Sequence, residues 1–377
     1  MRNPYVDYLR GASILLVLGC HFTILPPSFP GIAFILAITA NGYYGVSIFF
    51  VISGYLITSR TLTRYGNLSA VSLREFYAMR LGRIGPCLVV SLAALVALNA
   101  ANISGFTNDD IWTRLFYALT FRFNLYDVHH GGTILAWAVL WSLSVEELFY
   151  LTFPLACRLY QSTPYLCIVL IVVVLNGPWY RYKYYLIEGN AYGILMYLGC
   201  FDAIALGCLA AMLTARRPIR SRGAAACVAI GGLVVAFASI ACLRIASHFV
   251  LGPTGVAIGA ALYLTGVHGR GSPPALSWPL KAALAFLAVC GILSYEIYLY
   301  HGIFDPIVTG LFDRSVLKTR WPITAAIGYT ALFVTISFCC SLAIHRYYAA
   351  PVGRKLRRSL AGRKRPNLAD PDADIVV

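Results

Sequence analysis

Hydrophobic and polar positions along this chain fall into blocks and do not alternate. Mostly apolar runs recur at about 11–27, 36–58, 83–101, 133–155, 164–179, 191–213, 224–243, 249–267, 281–304 and 322–348. Each is near the ~20 residues that an α-helix needs to cross a bilayer. The pattern predicts an all-α membrane protein, a polytopic bundle of about ten transmembrane helices. An even number of crossings puts both termini on one side. The first run, Gly11 to Leu25, has the look of a signal-peptide core. It lacks a small-residue cleavage site and further spans follow, so it reads as a retained helix.

Composition strengthens that reading. Of 377 residues, 59% are hydrophobic and only 12% charged, with a mean hydropathy of +0.72. A water-soluble domain carries about a quarter charged residues, so most of this surface must face lipid. The net charge of +15 would suit a nucleic-acid partner, but the basic residues gather between the apolar runs. The main groups are Arg60 to Arg83, Arg216 to Arg222 and Arg346 to Arg365. Such clustering follows the positive-inside rule, and it places the N- and C-termini in the cytoplasm with no nucleic acid involved. The longest outward loop, 102–132, carries Asp109, Asp110 and Asp127 beside Arg114, Arg122, His129 and His130. Residues 1–350 form the membrane domain, and 351–377, basic then acidic, read as a disordered cytoplasmic tail. The 11 cysteines lie mostly within apolar runs and form no CxxC pair, so they read as small buried hydrophobes. No HExxH, P-loop or GxSxG pattern stands in the context it needs, and no metal is expected.

Ionisable side chains at membrane depth are costly and therefore candidate functional groups. His21 lies in the first run, eleven residues after Arg10. Eleven positions make about three full helical turns, so both side chains share one face, roughly 16 Å apart. Asp7 falls on the same stripe, spaced to pair with Arg10. His21 is either a core histidine bonded to a neighbouring helix or a chemical group, and Arg10 either an interfacial residue or a functional cation. The fourth run contains Ser142, Glu146 and Glu147. Ser142 and Glu146 share a face, while the two glutamates point about 100° apart and cannot share a partner. Arg80 and Arg83 precede the third run, either as plain positive-inside charge or as a clamp for an anionic ligand. Ser294 to His301, including Tyr298, reads as an aromatic belt with an interfacial histidine. His129, His130, His248, His268 and His345 lie in loops or near helix ends and suggest no role.

Taken in order, these blocks resemble acyltransferase family 3, integral membrane enzymes that O-acetylate bacterial surface polysaccharides, O-antigens and nodulation factors. The resemblance runs through Asp7-Tyr8-Leu9-Arg10-Gly11 to His21, Gly45 to Ile57, Phe76 to Pro86, Trp141 to Tyr150 and Ser294 to His301. It departs at Met79, where the family has an arginine before Arg80. It departs again at Cys200, where an arginine usually stands two residues before Asp202, and at Ile303, usually a proline.

The resemblance implies transfer of an acyl group, usually acetyl, from cytosolic acetyl-CoA to a carbohydrate or glycolipid hydroxyl. The site would be a cell (inner or plasma) membrane. His21 is then expected as general base on the acceptor hydroxyl, with an acyl-imidazole as the covalent variant. Arg10 and Glu146 join it in the catalytic set, with Glu146 orienting His21 or holding a sugar hydroxyl. Arg80 and Arg83 are expected at the phosphates of acetyl-CoA, and Ser142, Glu147, Tyr298 and His301 at the acceptor. The same buried Arg, His and Glu residues would also serve a transporter or flippase as a proton or substrate relay.

Overall fold

A computed structural model describes residues 3–21, 38–103, 105–107, 110–160, 162–271 and 277–361. Among them there is no strand. The principal helices in chain order are α1 (Pro4–His21), α2 (Tyr43–Tyr65), α3 (Leu73–Ala100) and α4 (Ile111–Leu119). Next come α5 (Phe123–His129), α6 (Leu140–Leu159), α7 (Thr163–Glu188), α8 (Tyr197–Arg216) and α9 (Arg222–Cys242). The chain continues through α10 (Gly252–Val267), α11 (Trp278–Ile292), α12 (Ser294–Asp313), α13 (Pro322–Ile344) and α14 (Ala350–Ala361). Local chemistry sets several of the ends. Ser72 Oγ accepts the Glu75 amide at the start of α3, an N-cap that satisfies a donor left over by the helix. Gly66, at φ 71°, closes α2 by donating its N–H to Leu62 O.

Each of the ten apolar runs falls on a helix, but their lengths differ from expectation. Among the described residues seven helices are long and apolar enough to cross a membrane, or eight if one bent pair counts as a single span. The protein is thus a helical, multi-pass membrane protein. Of the remaining runs, α10 has only 16 residues, and the 18 residues of α1 include Asp7, Arg10 and His21. The bent pair is the expected span 281–304, which divides into α11 and α12 at an angle of 77°. Asp109, residues 22–27 at the end of the first run, and the tail after Ala361 lie outside the described residues.

Two other expectations change. The fifth run extends well past 179, because α7 continues to Glu188 and takes Arg181 into the bundle. The expected disordered tail begins instead as helix α14, seated on α3. There Gly353 meets the backbone of Gly82 so closely that a Cβ has no room. Glycine contacts of this kind recur in pairs: Gly11 of α1 on Leu287 with Gly291 of α11 on Asp7, and Gly54 of α2 on Ile204 with Gly207 of α8 on Val51. With no hydrophobic drive between helices in lipid, close backbone approach is what supplies packing energy.

Candidate functional site

The first residues to assemble are arginines. Arg10 from α1 and Arg80 and Arg83 from α3 line one cavity with Ser53 of α2, Ser142, Glu146 and Tyr150 of α6, and Ser294, Tyr295 and Tyr298 of α12. The cavity volume is about 80 Å³, and its walls between the polar groups are apolar, including Phe49, Leu56 and Leu299. The break between α11 and α12 contributes directly. It brings Ser294 to the head of α12, where its Oγ accepts a hydrogen bond from Arg10 Nη2 at 2.9 Å. Arg80 lies 4.6 Å above the Tyr150 ring, a contact that holds a guanidinium without neutralising it.

Glu146 is held by two hydroxyls: Ser53 Oγ donates at 2.8 Å and Tyr150 OH at 3.2 Å. Those bonds answer one expectation differently, since the carboxylate is oriented by Ser53 and Tyr150 and not engaged with His21. Ser142 Oγ and Tyr298 OH are 2.7 Å apart. Glu147, one residue on from Glu146, is buried away from this cavity, as the 100° step along a helix requires.

His21 is not among the residues lining the cavity. It ends the described part of α1 with an exposed side chain, and its ring centroid is 5.3 Å from that of His301. His301 is fully buried, and its ring is 5.7 Å from that of Tyr298. The shared face of Arg10 and His21 therefore meets α12 twice, at Ser294 and two turns later at His301. Tyr298, between them, joins the cavity to the histidine pair.

Two buried polar clusters were not anticipated. Arg181 and Asp202, each 1% exposed, form a forked pair across α7 and α8, Nη2 to Oδ2 at 2.9 Å and Nη1 to Oδ1 at 3.2 Å. Thr254 of α10 donates to Asp202 Oδ2 at 2.6 Å, and Arg181 Nε donates to Val250 O at 2.9 Å. The arginine missing two residues before Asp202 is thus supplied from another helix. Arg181 stands in a Tyr- and Lys-rich stretch that reads as the watery end of a span, which hid it. The second cluster is Glu296 of α12 with His345, Oε1 to Nδ1 at 2.6 Å, with Tyr300 OH donating to Cys87 O beside it. His345 sits in a short π-helical turn after α13, a place that gave the sequence no signal. Among the described residues no group of three or more His, Cys, Asp or Glu is placed to hold a metal ion.

Comparison with known proteins bears on this arrangement. Residues 3–346 match the family model of the acyltransferase domain. The chain belongs to that family. Its relatives include the peptidoglycan O-acetyltransferase of Listeria monocytogenes, 26% identical over 89% of this chain and 54% of that protein. A Staphylococcus aureus protein with the provisional name O-acetyltransferase is 37% identical over 30% of this chain and 20% of its own length. A Bacillus subtilis protein, provisionally named a peptidoglycan O-acetyltransferase, is 30% identical over 40% of this chain and 23% of its own length. The chain thus spans about half or less of each of these relatives. No solved structure gives a significant match.

Proposed function

We propose that this acyltransferase-family protein moves an acetyl group from cytosolic acetyl-CoA to a carbohydrate hydroxyl at a cell (inner or plasma) membrane. The observation that carries the reading is the convergence of Arg10, Arg80 and Arg83 on one cavity with Glu146. Three guanidiniums and the Glu146 carboxylate share one low-dielectric space. An anion bound there is held far more strongly than in water, and guanidinium forks match phosphate oxygens. Coenzyme A carries such phosphates, and its pantetheine arm lies along apolar walls of the kind this cavity provides.

The acceptor chemistry belongs to the other end of α1. A sugar hydroxyl is a weak nucleophile and needs a base at the moment of attack. His21 takes the hydroxyl proton while the oxygen forms its bond to the thioester carbonyl. The carbon–sulfur bond then breaks, and the departing sulfur takes up a proton as free thiol. Ser142 and Tyr298 line the cavity and hold the acceptor or hand protons across, with the enclosed His301 beside Tyr298 and His21. Glu146, fixed by Ser53 and Tyr150, sets the charge balance beside Arg80 and Arg83; Glu147 is assigned to acceptor binding only through its neighbours on α6. The relatives' names favour peptidoglycan or a similar glycan as acceptor. A glycolipid acceptor uses the same hydroxyl chemistry. N- and C-termini both lie in the cytoplasm on this reading.

A transporter or flippase would use the same buried charges as a relay without forming a bond. The paired broken spans common in transporters are not seen among the described residues, where one broken span is present. The test is the ester content of surface glycan from cells carrying His21→Ala or Arg10→Ala at wild-type membrane levels. Loss of the ester in both is expected, and full activity of His21→Ala sinks the mechanism.

A further inference from the structure

His301 is the least accessible of the polar side chains near His21, and its two ring nitrogens are not equivalent. Nδ1 lies 2.6 Å from Tyr298 O and 3.2 Å from Ile297 O. Backbone carbonyls only accept, so Nδ1 must carry the hydrogen. The neutral ring then has a bare lone pair on Nε2. That nitrogen is buried and, among the described residues, has no hydrogen-bond partner. Leaving an acceptor of this kind unmet is destabilising, and a native fold retains one where it has a use. The enclosure on this side is tight: Gly302, the next residue, leaves no room for a side chain because Leu135 O and Ala136 lie 2.8–3.0 Å from where its Cβ would stand.

A neighbouring ring with a hydrogen to give is that of His21, 5.3 Å away between centroids and tilted by 39°. A turn of the His21 ring about its Cβ–Cγ bond is the movement that would bring a ring N–H toward Nε2 of His301. The substrate cannot reach Nε2 directly, since the atom is enclosed.

We infer that His301 is a positioning residue for His21: its locked tautomer offers Nε2 as the acceptor for one His21 N–H, which leaves the other His21 nitrogen bare and aimed at the acceptor hydroxyl. The proposal rests on His21 being the base. When His21 takes the hydroxyl proton it becomes an imidazolium, and the same hydrogen bond to His301 stabilises that charge while the His301 Nδ1–H stays on the two carbonyls. No proton needs to leave the pair until the thiolate collects one.

The experiment measures kcat and KM in the purified full chain for His301→Phe, His301→Gln, His301→Asn and His21→Ala, with the double variant His21→Ala/His301→Phe. Phenylalanine keeps the ring and removes both nitrogens. Its kcat should fall roughly a hundredfold with KM for acetyl-CoA unchanged. Glutamine places an amide oxygen near the Nε2 position and should recover at least about tenfold over phenylalanine, whereas asparagine, reaching only the Nδ1 position, should not. The double variant should be no slower than His21→Ala, because His301 acts through His21. If the phenylalanine variant does not fold, glutamine against asparagine still decides. Wild-type kcat in His301→Phe, or equal rates for glutamine and asparagine, overturns the proposal. Activity that survives in His21→Ala refutes the base assignment itself, a separate failure.

Discussion

Asp127 sits on α5, outside the spanning helices, with Thr133 Oγ1 donating to its Oδ1 at 3.0 Å. Burial, outweighing that hydrogen bond, pushes its carboxyl up to about 6. The fold therefore favours the neutral acid over the ~3.9 of an unfolded chain. Its contribution is complete in acid and is lost as pH rises through about 6, when a buried charge appears. Asp127→Asn keeps an acceptor for Thr133 and never ionises. Thermal melts should show it more stable than wild type by up to about 2–3 kcal/mol near pH ~8, with the gap closing toward pH ~4. A destabilised variant with no pH trend would contradict this account. At the same scale, Arg10, Arg80, Arg83, Ser142, Glu146 and Tyr298 were legible because each polar group interrupts or abuts an apolar run. Arg181 was illegible because its partner Asp202 is brought to it by tertiary packing, 21 residues along. Spacing carries no trace of that. Ser53 and Tyr150, which hold Glu146, stood inside recognised blocks but had no mark of their own.

Helix existence was readable from the apolar runs, since a backbone in lipid must satisfy its own hydrogen bonds and helices do that within one segment. Breaks were not. The run through 281–304 stays apolar across Leu293, yet α11 and α12 meet there at 77°, and irregular backbone at depth is tolerated because it lines a cavity. The start of the tail misled for another reason. Its charges suggested disorder, but α14 has a buried Gly353 that fits against Gly82, and Arg74 Nε donates to Leu360 O at 2.6 Å. Gly82 lies between Arg80 and Arg83, so this contact backs the segment that presents both arginines. Gly353→Leu should force the two helices apart at about 1–3 kcal/mol. Trypsin should then cut after Arg354, Lys355 or Arg358 several-fold faster, with a raised KM for acetyl-CoA. Unchanged cleavage and KM would show that α14 is dispensable for the site.

At the scale of the molecule, α1 is the element that organises the rest. Its face carries Arg10 to the arginine-lined cavity and His21 to His301, and α12 runs beside it to meet both. On the proposed reading, donor and acceptor ends are separated by roughly 16 Å of one helix. That separation suits a reaction whose two substrates approach from different sides of a bilayer. It would equally suit a relay that moves a group without bonding it, so the two accounts part only at the product. The direct measurement uses purified protein in lipid nanodiscs with acetyl-labelled acetyl-CoA and deacetylated surface glycan. The label should appear in an alkali-labile ester on the glycan, and His21→Ala should lower its rate by at least about a hundredfold. Absence of any labelled ester with the active wild-type protein, or equal rates for wild type and His21→Ala, would contradict the account.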